Sequence, residues 1–121
     1  MNRKNNRANK ANLELARNVL QESVPIEKAF YFFRDVGQYT GKSALDLEEF
    51  YEMMDKVPLQ SLEFHFLRGD FEKWIKEVLG DKRLASQIRS IDKSLKDKKL
   101  KATLKRKVRR RINQLKKMLK E

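Results

Sequence analysis

Apolar residues in the last quarter of the chain recur at a spacing typical of an α-helix. Leu100, Leu104, Val108, Ile112, Leu115 and Leu119 follow one another at intervals of 4, 4, 4, 3 and 4 residues. A strand alternates at every second residue, so this spacing predicts one helix over residues 98–120. These positions span an arc of about 120°, the width expected of a helix that packs on a core.

Shorter apolar patterns predict further helices at residues 8–22, 45–56, 58–67, 70–79 and 81–91. Aspartates at the starts of three of them are candidate N-caps: Asp46 (or Ser43), Asp70 and Asp81. Gly69 and Gly80 are the expected stops.

The most hydrophobic run, Ala-Phe-Tyr-Phe-Phe at residues 29–33, is compatible with a buried helical turn or a short strand. Five residues are too few to resolve a period. Because Pro25 suits the start of a helix, we favour a helix at 26–35, followed by a glycine-containing loop at 36–42. The loop matches no phosphate-binding glycine pattern, so we interpret it as a plain turn.

Charge is concentrated at the two ends of this 121-residue chain, whose formal net charge is +12. Residues 93–121 hold 14 basic and 2 acidic side chains (+12), residues 1–24 contribute +3 and residues 25–92 contribute −3. We therefore predict three segments: a basic N-terminal arm with a short helix (1–24), a compact α-helical body (25–92) and a basic amphipathic C-terminal helix (93–121). The predicted fold class is all-α, a compact bundle of five or six short helices followed by the long basic helix. The first ten residues are expected to be flexible until bound.

Basic residues form a ridge on the outer side of the predicted C-terminal helix. Lys101 and Arg111 fall instead inside the apolar arc, where their stems are expected to lie on hydrophobic surface with their heads at its edge. Like charges one turn apart repel, so a bound anion would stabilise the ridge. The candidate nucleic-acid-binding residues are Arg3, Lys4, Arg7 and Lys10 in the arm, and Lys99, Lys105, Arg106, Lys107, Arg109, Arg110, Lys117 and Lys120 in the helix. An acidic protein partner, a membrane contact or a solvated surface are the alternatives.

Composition argues against several classes of function. The chain has no cysteine and a single histidine, His65, so we expect no metal, no cofactor and a histidine that is either structural or half-exposed. No nucleophile, base and oxyanion donor come together, so we predict no catalytic residue and no enzyme. No run of 18 apolar residues and no signal core are present, which predicts a cytoplasmic protein.

Residues 61–81, SLEFHFLRGDFEKWIKEVLGD, resemble the signature of a small uncharacterised prokaryotic family, mainly archaeal in its closest form. The run at 29–33 with Asp35, Gly37, Tyr39, Thr40 and Gly41 resembles a first block of that family, and Leu47, Glu48, Glu49 and Phe50 resemble a second. The resemblance covers about residues 28–91 and implies a compact helical domain without a settled activity. The basic segments on either side depart from it.

These observations favour a non-enzymatic nucleic-acid-binding protein, with structured RNA on the ribosome as the expected target and ribosomal proteins as possible neighbours. Basic extensions neutralise phosphates without reading base sequence. A nucleoid or chromosomal DNA-binding protein is the first alternative, and a protein-interaction adaptor is the second. Neither a membrane nor a small-molecule substrate is expected.

Overall fold

Helices make up most of the chain that the computed structural model describes, which is the backbone of residues 3–120 and the side chains of residues 10–120. A 3-10 turn, Ile26–Lys28, precedes the first strand. The elements in chain order are α1 (Arg3–Leu20), β1 (Phe30–Phe33), β2 (Tyr39–Ala44), α2 (Leu47–Met53), α3 (Leu59–Arg68), α4 (Asp70–Glu77), α5 (Lys82–Arg89) and α6 (Asp97–Lys120).

The predicted all-α fold class is wrong, because β1 and β2 form an antiparallel hairpin and make the fold α+β. Phe30 and Phe32 are buried, whereas Tyr31 and Phe33 are half-buried, which is the two-residue period of a strand. Aromatic side chains also favour strands. Because both faces of β1 are aromatic, its alternation does not show in the hydrophobic pattern, and the helix predicted at 26–35 does not form.

A tight turn joins the two strands. The Gln38 N–H donates to the Asp35 carbonyl at 3.0 Å, and the Arg34 N–H donates to the Gln38 carbonyl at 2.9 Å. Gly37 has a φ of +72°, a conformation that side chains disfavour and glycine adopts freely. The loop predicted at 36–42 is therefore shorter than expected, since β2 begins at Tyr39.

The helix predicted at 98–120 is confirmed as α6, and it forms a wall of the core. It packs against α1, α2, α3 and α5. Its apolar stripe is buried in the same hydrophobic cluster as the aromatic residues of the body: Leu100, Leu104, Val108, Ile112 and Leu115 with Phe30, Phe32, Phe50, Phe71 and Trp74. Because packing holds α6 in place along its length, the side chains on its solvent side stand on a fixed backbone.

Helix α1 begins earlier than predicted. Its backbone is helical from Arg3, so the expectation of a flexible segment up to Lys10 is wrong over residues 3–10, and residues 1–2 lie outside the described part of the chain. Ala16 and Val19 are buried in the common core, and α1 packs against α6. Once Ala16 and Val19 are packed in the core, extension of α1 toward its N-terminus adds one backbone hydrogen bond for each residue that becomes helical.

Two of the predicted N-caps are confirmed. The Asp46 carboxylate accepts from the Glu49 N–H at 2.8 Å, and Asp81 accepts from the Leu84 N–H at 3.1 Å. The third is wrong: Gly69, with a φ of +75°, takes both the end of α3 and the cap position of α4. Asp70 is the first residue of α4, and its carboxylate turns toward α3 instead.

Candidate nucleic-acid interface

Six polar residues follow one another along the solvent side of α6. They are Arg106, Arg109, Arg110, Asn113, Gln114 and Lys117, and they line a shallow depression of about 490 Å³. Counted from the first, they stand at offsets of 3, 4, 7, 8 and 11 residues, which is one helical stripe of about 16 Å. We call this set the α6 stripe.

Two carboxylates, Glu48 in α2 and Asp55 just after that helix, neutralise one flank of α6. Lys101 and Lys105 both pair with Asp55, at 3.0 and 2.6 Å, and Lys116 pairs with Glu48 at 3.1 Å. The two ammonium groups hold the pKa of Asp55 below its usual range, so that carboxylate stays charged at neutral pH. Lys105, predicted to bind nucleic acid, is therefore already paired within the protein.

The Tyr51 ring of α2 contacts Lys105 and one further basic residue of this flank, Arg109. The Lys105 ammonium lies 5.0 Å from the centre of its ring, and the Arg109 guanidinium lies 4.6 Å from it. Such cation–π contacts orient a cation without neutralising it. Arg109 remains exposed and can still meet an anion from the solvent side.

Arg111 forms a buried ion pair, and the expectation that its head would reach the edge of the apolar arc is wrong. The side chain is 3% exposed. Its Nε donates to Asp81 Oδ2 at 2.7 Å and its Nη2 donates to Asp81 Oδ1 at 3.2 Å. Its Nη1 donates to Gln114 Oε1 at 3.1 Å, which links the buried pair to the α6 stripe. Lys101, in contrast, does reach the edge, where it meets Asp55.

Ion pairs thus use four of the twelve basic residues of α6. Among the side chains described, 10–120, no carboxylate lies within 4 Å of the other eight, which are Lys98, Lys99, Arg106, Lys107, Arg109, Arg110, Lys117 and Lys120. Seven of these are predicted site residues. Of the predicted arm residues, Lys10 is exposed, and the side chains of Arg3, Lys4 and Arg7 lie outside the described residues.

The two amides of the α6 stripe are not among the binding residues predicted from the sequence. Asn113 and Gln114 stand three and four residues after Arg110, which places all three on one side of a helix. Spacing alone could therefore have found them. Both side chains are uncharged, so a prediction based on basic residues alone does not include them.

His65 stands beside a second depression, of about 350 Å³, but its ring nitrogens are both engaged. The Phe33 N–H donates to Nε2 at 2.8 Å, so Nε2 carries no proton. Nδ1 then carries the proton and donates it to Asp70 Oδ2 at 2.8 Å, while Arg68 Nε lies 3.2 Å from the same oxygen. A histidine that acts as a general base needs a ring nitrogen that is free to take up a proton, and both nitrogens of His65 are engaged. This arrangement fits a structural role.

Burial lowers the pKa of His65, the Asp70 carboxylate partly opposes that effect, and the nearby Arg68 adds to the lowering. The unfolded chain therefore takes up a proton at a higher pH than the folded protein does. Stability is full above the unfolded pKa of about 6.5 and falls as pH drops through the window below it.

We expect the free energy of unfolding to decrease between pH 7 and pH 5, by at most about 1.4 kcal/mol for each pH unit. Urea titrations at several pH values measure this. His65→Gln is the matched control, because glutamine can still accept from Phe33 and donate to Asp70 but does not titrate. His65 is the chain's one histidine, so an equally steep dependence in the glutamine variant would contradict the assignment.

Within the described residues, no cluster of three or more His, Cys, Asp or Glu side chains is placed to hold a metal ion. The same part of the chain contains no helix with both the length and the apolar character needed to cross a membrane.

These features define a small helix-rich α+β domain with a cationic stripe on its last helix. Residues 12–112 match a family of unknown function, DUF5752, and the chain belongs to that family. The expected membership of an uncharacterised family is thereby confirmed. The match runs from α1 into α6, so both helices contribute to the family's domain. The resemblance over residues 28–91 had implied that these helices only flank the domain. No curated protein and no solved structure gives a significant match.

Proposed function

We propose that this protein binds nucleic acid, without catalysing a reaction, through phosphate contacts of α6. The observation that carries the proposal is the α6 stripe, where four basic residues and two amides face solvent along one fixed helix. Lys99 and Lys120 extend the exposed charge toward both ends of the helix. Phosphate oxygens are the acceptors that such a row of donors suits best.

The packing of α6 supports nucleic acid over a membrane surface. A helix that lies on a bilayer inserts its apolar side between the lipids. Here that side is buried against four other helices, which leaves the charged side for a ligand. Because α6 is already folded and packed, binding needs little further ordering of the backbone.

Structured RNA is the target that we favour, and a ribosomal particle its most suitable host. Folded RNA offers irregular phosphate clefts that a basic helix can line without entering a groove. Such a protein would work in the cytoplasm with ribosomal proteins as neighbours. The high charged fraction, 38%, also suits a protein from a heat-adapted organism. A nucleoid protein that binds duplex DNA by the same contacts is the alternative.

The dependence of affinity on salt tests this proposal. If α6 engages six phosphates, the logarithm of the binding constant should fall with the logarithm of salt concentration at a slope of about −5. Fluorescence titration of a structured RNA fragment and a DNA duplex between about 50 and about 200 mM KCl measures the slope for each target. We expect the protein to bind the RNA fragment more tightly than the DNA duplex at the same salt concentration.

Two outcomes would count against this view in different ways. No binding of either polyanion at low salt would remove the proposal. Preference for the duplex would replace RNA with DNA as the target. Co-sedimentation of the natural protein with ribosomal particles, reversed by high salt, would support the ribosomal host.

An adaptor function has one observation in its favour. Val36 and Leu67 are 75% and 63% exposed, and Tyr39 is 47% exposed. Val36 also borders the depression beside His65, which Tyr31, Phe33 and Phe64 help to line. Apolar patches of this kind often mark protein contacts. A protein partner retained after nuclease treatment and a high-salt wash would favour the adaptor.

A further inference from the structure

Gln114 differs from the other polar residues of the α6 stripe because a buried ion pair orients its amide. Asp81 is fully buried and caps α5. It accepts two hydrogen bonds from Arg111, whose remaining Nη1 donates to Gln114 Oε1. The three side chains form a relay from the interior to the surface.

The chemistry of this relay determines which end of the amide faces the ligand. A guanidinium group can only donate hydrogen bonds, so the atom facing Arg111 must be the amide oxygen. The amide nitrogen, with its two N–H donors, is then the group available to a ligand in the depression that Gln114 lines. The side chains one helical turn away on either side, Arg110 and Lys117, also only donate.

We propose that Gln114 is a fixed hydrogen-bond donor for a phosphodiester oxygen of the bound nucleic acid, preset by Asp81 and Arg111. This proposal rests on the proposed function and names one contact of that site. The relay also restricts specificity. A glutamine that recognises adenine uses its oxygen and nitrogen together, and Arg111 already takes one of the two lone pairs of the Gln114 oxygen.

Asn113 provides a matched control. It is an exposed neighbour that lines the same depression, and no hydrogen bond to its side chain occurs among the described residues 10–120. An amide that must be ordered on binding contributes less than one that is already oriented. Removal of Gln114 should therefore cost more affinity than removal of Asn113.

The experiment measures the affinity of the full chain for an RNA hairpin at fixed salt. Gln114→Ala and the similarly shaped Gln114→Met should each weaken binding about ten-fold, as expected for loss of a hydrogen bond to a charged acceptor. Asn113→Ala should stay within about two-fold of the natural protein, the effect expected of a bond that is weak or water-mediated. The salt slope should remain unchanged in all three variants, because a neutral side chain releases no counterion. Circular dichroism and thermal melting verify that each variant is folded.

Different results would overturn different statements. If the natural protein binds the hairpin but Gln114→Met keeps its affinity, or loses no more than Asn113→Ala, the role of Gln114 is wrong and the proposed function stands. If the natural protein binds no RNA or DNA at all, both are wrong. If Gln114→Met changes the salt slope, the substitution acts by moving the basic side chains of the α6 stripe, and Gln114 is not the donor that we propose.

Discussion

Replacement of Arg106, Arg110 and Lys117 by glutamine should lower the affinity for RNA by about two to three orders of magnitude near 0.1 M salt. Each lost phosphate contact removes about 0.9 from the salt slope, so three reduce its size by about 2.7. All three side chains are exposed and outside the ion pairs of the described residues, so the fold should be retained. Salt titrations of the triple variant measure both effects.

A control with the same change in charge separates a defined site from general attraction. Lys73, Lys76 and Lys82 lie exposed on and beside α4 and α5, and their replacement by glutamine also removes three positive charges. We expect this variant to lose less than about ten-fold in affinity, because it keeps the α6 contacts. Equal losses in the two triple variants would mean that binding is not located on α6. Substitutions are preferable to deletion of α6, which would also remove a wall of the core.

Asp81→Ala should destabilise the protein by about 3 to 5 kcal/mol, because it leaves the buried Arg111 charge uncompensated. Loss of the N-cap of α5 adds about 1 kcal/mol. Domains of this size are commonly stabilised by about 5 to 15 kcal/mol in total, so the variant should be close to unfolding. Urea denaturation at neutral pH measures the loss.

Two further variants test the cause. The double variant Asp81→Asn with Arg111→Met removes the charges together and keeps a capping side chain, so it should recover much of the lost stability. Asp55→Ala breaks the exposed pairs with Lys101 and Lys105, and should cost less than about 1 kcal/mol. If Asp81→Ala is no more harmful than Asp55→Ala, the buried pair does not have the role assigned to it.

Local patterns in the sequence determined the helices and the distribution of charge. The spacing of apolar residues predicted α6 to within a residue at its start, because a helix repeats over a few neighbouring positions. Asp46 and Asp81 were recognisable as caps for the same reason, since a cap bonds to a backbone group three residues away. The separation of basic ends from an acidic middle needs no structure to be seen.

Tertiary structure alone decided that the hairpin forms, and which basic residues pair with a carboxylate and which face solvent. Residues 30–33 became a strand because β2 was available to pair with them, although both of their faces are aromatic. Lys105 and Arg106 are neighbours of equal charge, yet Lys105 meets Asp55, fifty residues away in sequence, and Arg106 faces solvent. Arg111 meets Asp81 across thirty residues, and that contact orients Gln114. Such pairings depend on which surfaces pack together, and no local period of the sequence encodes them.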